Sequence, residues 1–160
     1  MKGCSFTGHR AIPLRDLEGI KQLLTLTVER AYNAGIRDFY SGGALGFDTL
    51  AAYSVIQFRE KHPDTRLMML LPCRDQDRLW TPSQREKYAE MLSLADCIEY
   101  VSESYDAECM RRRNAELVSR ARLVICYLHN QRSGTAQTVR LAKDGGRAVW
   151  NLWEHLPKNL

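Results

Sequence analysis

The sequence predicts an α/β protein with a Rossmann-like, three-layer domain, in which a mostly parallel sheet lies between two layers of helices. Short apolar runs alternate along the chain with longer segments of helical periodicity, an order typical of parallel α/β folds. A length of 160 residues suits one domain, and 44% hydrophobic with 26% charged residues is the composition of a folded protein. No internal repeat or linker is recognisable, so we expect residues 1–160 to form a single domain.

Short apolar runs predict the strands. Most of their residues are apolar on both faces, as expected where helices cover both sides of a parallel sheet. The predicted strands are Gly3–Phe6, Asp38–Tyr40, Leu67–Leu71, Cys97–Val101, Leu123–Leu128 and Ala148–Leu152.

Segments of helical periodicity lie between these runs. The first carries apolar residues at helical spacing, and Gly35 follows where that helix would end. Thr81, Pro82 and Gln84 are typical of an N-cap, a first-turn proline and a capping-box glutamine. The predicted helices are Leu17–Ala31, Thr49–Glu60, a third from Thr81 to about Leu94, Ala107–Arg120 and Thr135–Lys143, the last closed by Gly145 and Gly146.

Composition restricts the class of protein. The net charge of +4 and the pI near 8.9 would favour a phosphate-bearing partner but fall short of a nucleic-acid-binding tail. The five cysteines contain no C-x-x-C pair, which favours a reducing cytoplasm over a zinc site or a disulfide framework. No apolar stretch has the length of a signal peptide or a transmembrane helix. We therefore expect a cytoplasmic protein without membrane contact, bound metal or cofactor.

Loops at three predicted strand ends carry small and polar residues suited to binding an anion. The carboxyl ends of parallel strands meet at one edge of the sheet, where helix N-termini offer free N–H groups. No G-x-G-x-x-G or G-x-x-x-x-G-K-[ST] motif is present, which disfavours a dinucleotide-redox domain or a P-loop NTPase. The candidate ligand-binding residues in these loops are Thr7, Gly8, His9, Arg10, Ser41, Gly42, Gly43, Gly46, Asp48, Ser133, Gly134 and Thr135.

Structural roles stay open for several residues in and near these loops. Asp48 would bind ribose hydroxyls, cap its helix, or do both. His9 would hydrogen-bond a ligand or pack beside a turn. Trp80 would either stack on a base or pack against the entry of the third helix. Arg111 and Arg112 would form a solvated helix face or part of a nucleic-acid surface.

The segment SGGALGFDTLAA resembles the S-G-x-A-x-G-[IF]-D-x-x-A segment of DprA, the DNA-processing protein, and T-G-H-R resembles its glycine-x-arginine loop after the first strand. DprA belongs to the SLOG superfamily. Within it, the small size, these motifs and the M-x-x-R-N helix are most similar to the YpsA-like family of small bacterial proteins. The resemblance implies one SLOG-like Rossmannoid domain that forms a homodimer.

Segments near residues 110 and 133 resemble motifs of the lysine decarboxylase-like LOG enzymes, which release ribose 5-phosphate from cytokinin nucleotides. The LOG motif M-x-x-R-K-A corresponds to residues 110–115, so the resemblance places Arg113 and Asn114 in the ligand site. In P-G-G-x-G-T-x-x-E the last position is a glutamate, and Thr138 stands there. A hydroxyl cannot supply that carboxylate, so the resemblance favours nucleotide binding over the phosphoribohydrolase reaction.

The leading hypothesis is a cytosolic protein that binds a nucleotide or nucleotide-derived small molecule, either as a sensor or as an N-glycosidic hydrolase. The alternative is a DprA-like protein that binds single-stranded nucleic acid. Against it, Leu45 and Ala52 occupy positions where the DprA segment commonly has arginine and histidine. We expect Gly42 and Gly43 to line the pocket, and we expect Arg113→Ala to weaken binding with little effect on folding.

Overall fold

The computed structural model describes residues 2–157 and has one six-stranded sheet with helices on both of its faces. Every adjacent pair of strands is parallel, and the order across the sheet is β4-β3-β2-β1-β5-β6. This confirms the predicted three-layer α/β class. The strands are β1 (Gly3–Gly8), β2 (Asp38–Ser41), β3 (Arg66–Leu71), β4 (Cys97–Tyr100), β5 (Ala121–Tyr127) and β6 (Ala148–Asn151).

The helices divide between the two faces of the sheet. The chain moves outward from β1 to β4 and then returns to the other side of β1, so right-handed crossovers place the first three helices opposite the last two. The first helix packs on the second, and the fourth packs on the fifth. The helices are α1 (Leu14–Asn33), α2 (Phe47–Arg59), α3 (Pro82–Ser93), α4 (Cys109–Arg120) and α5 (Gly134–Asp144).

The largest part of the hydrophobic core lies between the sheet and the α1–α3 layer. Ile20 and Leu24 of α1 are fully buried there together with Phe6 and Phe39 of the sheet. Smaller apolar clusters lie beneath α4 and α5. Burial on both faces explains why the central strands β1 and β5 are buried along nearly their whole length and not only at alternate residues.

The strand order reverses between β1 and β5, because β2, β3 and β4 lie on one side of β1 whereas β5 and β6 lie on the other. Strands β1 and β5 are neighbours, and Gly8 at the end of one pairs with Tyr127 at the end of the other. The connection after β1 leads to one face of the sheet, and the connection after β5 leads to the opposite face. The diverging loops leave a crevice, which is the usual position of a ligand site in an open α/β sheet.

Several element boundaries differ from the predicted ones. Strand β1 extends to Gly8 because Thr7 and Gly8 pair with β5. Helix α2 begins at Phe47, since Gly46, with φ of 80°, forms its N-cap. The capping box at Thr81 is confirmed, whereas the short 3-10 helix Leu152–His155 was not predicted. None of the helices within residues 2–157 is long and apolar enough to cross a lipid bilayer.

Candidate functional site

A cavity of about 340 Å³ lies at the carboxyl ends of β1 and β5, and we refer to it as the β1/β5 cavity. Its walls come from the loops after β1, β2 and β5 and from one face of α4. The lining residues are Thr7, Gly8, His9, Arg10, Ala44, Asp48, Met110, Arg113, Asn114, Leu117, Ser133, Gly134 and Thr135.

Most of the candidate residues predicted from the sequence line this cavity, but four do not. Ser41, Gly42, Gly43 and Gly46 are not among its lining residues, although Gly42 and Gly43 were expected to line the pocket. Ser41 holds the glycine loop in place, because its Oγ accepts the Gly43 N–H at 3.2 Å and donates to the Asp48 carbonyl at 3.0 Å. A Cβ on Gly46 would collide with the backbone of Arg10. These residues bring the β1 and β2 loops together.

The N-terminus of α5 forms one wall of the cavity. Ser133 is the N-cap, and its Oγ accepts the Ala136 N–H at 3.1 Å. The backbone N–H groups of Gly134 and Thr135 have no hydrogen-bond acceptor among residues 2–157. Helix N-termini leave such donors free and carry a partial positive charge, so this wall suits an anion.

Arg113 lines the cavity from α4 and is buried, with only 5% of its surface exposed. Its Nη1 donates to the Gly42 carbonyl at 2.6 Å, and its Nε donates to Asn114 Oδ1 at 2.9 Å. A Cβ on Gly42 would collide with the guanidinium, so the glycine allows the arginine to approach the loop. The arginine therefore stabilises the fold as well as lining the cavity, a role that the sequence did not indicate.

Asp48 lines the cavity from the start of α2 and is buried, with Oδ2 accepting the Ala44 N–H at 3.2 Å. One interpretation of the sequence was that Asp48 caps this helix. It is instead the second residue of α2, and Gly46 is the N-cap. Burial raises the pKa of Asp48 to about 6, although the charges of Arg113 and Arg10 and the Ala44 N–H act in the opposite direction. A carboxyl with this pKa changes between its protonated and ionised forms around pH 6.

Arg10 supplies the exposed positive charge of the site. Its guanidinium makes no hydrogen bond or ion pair with the described part of the chain, residues 2–157. It is close enough to Asp48 and Arg113 to act on the pKa of both. An unpaired guanidinium at the mouth of a cavity can form bidentate contacts to phosphate or carboxylate.

His9 connects two walls of the cavity. Its Nε2 accepts the backbone N–H groups of His129 at 3.0 Å and Asn130 at 3.3 Å. Because both partners are donors, the imidazole is neutral with its proton on Nδ1. Burial, followed by the nearby His129, lowers the pKa of His9, which favours the same form. The side chain both lines the cavity and holds the β5–α5 loop in position.

Trp80, Arg111 and Arg112, whose roles the sequence analysis left undecided, have structural contacts outside the cavity. The Trp80 ring packs edge-on against Tyr88 with ring centroids 5.0 Å apart, which is the helix-entry role. Arg111 pairs with Glu108 at 3.3 Å, and Arg112 pairs with Asp106 at 2.8 Å. Both arginines belong to the solvated face of α4.

Three lining residues were not anticipated from the sequence. Met110 and Leu117 lie on the same face of α4 as Arg113, at spacings of three and four residues. That helical spacing was available in the sequence and would have identified them. Ala44 offers no such signal, because it contributes only a small side chain at the turn of a loop.

The family model of the YspA SLOG family matches residues 4–144 of the chain. The chain belongs to the YspA SLOG family. Among individual SLOG relatives, it is similar to the SPbeta prophage-derived protein YoqJ of Bacillus subtilis, with 28% identity over 128 residues that cover 71% of this chain and 75% of YoqJ. Membership confirms the resemblance inferred from the T-G-H-R and S-G-G-A-x-G-F-D motifs.

Solved structures of DprA have the same fold as this SLOG protein. DprA from Streptococcus pneumoniae superposes with a TM-score of 0.69 at 18% identity, covering 99% of this chain and 51% of that one. DprA from Helicobacter pylori gives a TM-score of 0.67 at 21% identity, covering 99% of this chain and 66% of that one. The chain thus spans about half to two thirds of the DprA proteins, and the similarity concerns the fold.

Proposed function

We propose that the protein is a cytosolic binder of a nucleotide or nucleotide-derived molecule whose phosphate lies in the β1/β5 cavity. The observation that carries the proposal is the α5 wall, where the free N–H groups of Gly134 and Thr135 share a cavity with Arg10. Backbone donors at a helix N-terminus and an adjacent guanidinium are the usual partners of phosphate oxygens. The position at the reversal point of the sheet supports the same proposal.

The charges of the cavity favour an anionic ligand. Arg10 and Arg113 contribute positive charge, and Asp48 is the one carboxyl among the lining residues. Because burial raises the pKa of Asp48 to about 6, its negative charge is complete only well above that pH. The cavity therefore has a net positive charge when the carboxyl is protonated and also when it is ionised.

The geometry supports binding more directly than hydrolysis. Thr138, at the position of the LOG glutamate, is 3% exposed, and its hydroxyl donates to the Gly134 carbonyl of its own helix at 3.0 Å. An N-glycosidic hydrolase would instead need Asp48 as its general acid or base, and a pKa of about 6 suits that role. We therefore propose a sensor or carrier of the ligand, and hydrolysis is tested separately.

Calorimetry with AMP, NAD and ADP-ribose tests the binding proposal. We expect at least one of them to bind, and we expect Arg10→Ala to lower its binding free energy by about 1.5–3 kcal/mol through the lost charge-assisted contact. The matched control is Arg140→Ala, which removes the same charge from an exposed position outside the cavity. Absence of binding by all three ligands, or equal effects of the two variants, contradicts the proposal.

Long incubation of the protein with the bound ligand tests hydrolysis. Release of free base or nicotinamide that disappears in Asp48→Asn would identify an N-glycosidic hydrolase. A ligand that is bound and recovered unchanged identifies a sensor.

Single-stranded DNA is the second candidate ligand. The H. pylori DprA structure describes a single-stranded DNA binding mode for that protein, and the present chain shares its fold and has a net charge of +4. If this chain also binds DNA, a gel shift at low salt should weaken steeply as the salt concentration rises. No shift at low salt removes this candidate. We also propose a homodimer, which sedimentation would test.

A further inference from the structure

A second concave surface, which we call the α4–α5 groove, runs between the N-terminal halves of α4 and α5. Its volume is about 460 Å³. Its walls include four apolar side chains and two side-chain amides. The lining residues are Ala107, Met110, Arg111, Asn114, Ala115, Gly134, Gln137, Thr138 and Leu141.

The groove adjoins the β1/β5 cavity. Met110, Asn114 and Gly134 line both, so the two spaces share a wall at the start of α5. Gly134 leaves the junction open, because a Cβ built there would have nothing within 4 Å. A ligand with its phosphate at the α5 N-terminus would therefore have the groove directly beside it, across the open space at Gly134.

The lining of the groove differs in chemistry from that of the cavity. Leu141 is 46% exposed and contributes apolar surface to the groove together with Met110 and Ala115. Small side chains at Ala107 and Ala115 leave room for a flat ring. Apolar walls with a few polar groups are typical of sites for heteroaromatic ligands.

Two amides supply directional contacts at this surface. Asn114 Oδ1 accepts from Arg113 Nε at 2.9 Å, which fixes the orientation of the amide and leaves its NH₂ group as a donor at the junction. The exposed side-chain amide of Gln137 makes no hydrogen bond among residues 2–157. Amides offer both donors and acceptors, as the edges of a nucleobase require.

We propose that the α4–α5 groove binds the nucleobase of the ligand whose phosphate occupies the β1/β5 cavity, so that the substrate class is a base-bearing nucleotide and not a sugar phosphate. This inference rests on the proposed function, because the base can lie in the groove only if the phosphate of the same ligand lies in the cavity. The lining residues that the groove shares with the cavity, Met110, Asn114 and Gly134, favour this occupant over a second copy of the chain.

Calorimetry with AMP, GMP, CMP, UMP and ribose 5-phosphate tests the inference. Ribose 5-phosphate lacks only the base, so it measures the cavity alone. We expect at least one nucleotide to bind about tenfold or more tightly than ribose 5-phosphate, because its ring leaves water for an apolar groove.

Ala115→Phe is the decisive variant. Ala115 is exposed and lines the groove but not the cavity, so the larger side chain fills the groove from outside the core. We expect nucleotide affinity to fall to that of ribose 5-phosphate, whose own affinity does not change. Ser119→Phe adds a similar side chain at an exposed position of α4 outside both spaces, and it should leave every affinity unchanged.

The outcomes separate this inference from the proposed function. If no nucleotide binds more tightly than ribose 5-phosphate, or if Ala115→Phe leaves that preference intact, the groove does not bind the base while the phosphate site stands. If neither class of ligand binds, the proposed function fails and the inference fails with it. If Ala115→Phe changes the sedimentation of the protein without changing nucleotide affinity, the groove is an interface between copies of the chain, and the inference is overturned.

Discussion

At the residue scale, Arg113 combines two roles that the sequence could not distinguish. It lines the cavity, and it is also buried with hydrogen bonds to Gly42 and Asn114. Its partner Gly42 is 71 residues away in the chain, so no local pattern revealed the contact. A motif resemblance identifies the residue type at a site, whereas burial and long-range contacts determine what its removal does to the fold.

Arg113→Ala should therefore lower stability as well as ligand affinity. We expect the free energy of unfolding to fall by about 1–3 kcal/mol, because buried polar groups lose their partner. Urea denaturation measures this loss. Arg112→Ala is the control, since Arg112 lies in an exposed ion pair and its removal should change stability by less than about 1 kcal/mol. Equal stability of the two variants would contradict the structural role of Arg113.

Asp48 should make ligand affinity depend on pH. Its folded pKa of about 6 lies above the ordinary aspartate value of 3.8, so the folded state binds more protons between these two pH values. Its contribution to stability is accordingly present below the lower value and is lost as pH rises through about 6. The same protonation removes a negative charge from the cavity as pH falls.

We expect the affinity for NAD, whose pyrophosphate does not titrate in this range, to rise about fivefold between about pH 7.5 and about pH 5.5. Calorimetry across this range measures the change. Asp48→Asn should flatten the profile while keeping an oxygen for the Ala44 N–H. A wild-type profile that is flat, or that the variant reproduces, would show that Asp48 does not control the charge of the cavity.

At the element scale, sequence patterns predicted all six strands and all five α-helices of the described residues. The reason is that an apolar segment is buried as a strand of the sheet, whereas an amphipathic segment covers the sheet with one face. Boundaries were less predictable. Strand β1 continues through Thr7 and Gly8 because β5 pairs with it, and α2 starts early because Gly46 adopts a positive φ. The 3-10 helix Leu152–His155 is too short to show helical periodicity, so no sequence pattern predicted it.

The N-cap of α5 should affect binding and stability together. Ser133→Ala removes the acceptor of the Ala136 N–H, so we expect the free energy of unfolding to fall by about 1 kcal/mol. We also expect the N-terminus of α5, which forms one wall of the cavity, to become less ordered. Thr81→Ala removes the comparable cap of α3, away from the cavity, with a similar loss of stability. Thermal melts and calorimetry on both variants separate the effects. The account requires that ligand affinity falls only in Ser133→Ala.

At the scale of the whole molecule, the strand order determines where the site lies. The reversal of strand order between β1 and β5 brings the T-G-H-R loop beside the S-G-T loop. The sequence predicted that both loops lie at the same edge of the sheet, but not the strand order that makes them neighbours. The glycine loop after β2 was predicted to bind the ligand, and four of its predicted residues, Ser41, Gly42, Gly43 and Gly46, are not among those that line the cavity. Residue types thus predicted most of the loop residues that line the cavity, whereas Met110 and Leu117 line it through the tertiary packing of α4.

A crystal structure grown with saturating AMP tests the central claim most directly. The account predicts the phosphate in the β1/β5 cavity, within hydrogen-bonding distance of the Gly134 and Thr135 N–H groups and the Arg10 guanidinium. An empty cavity, or AMP bound at another surface, would contradict it.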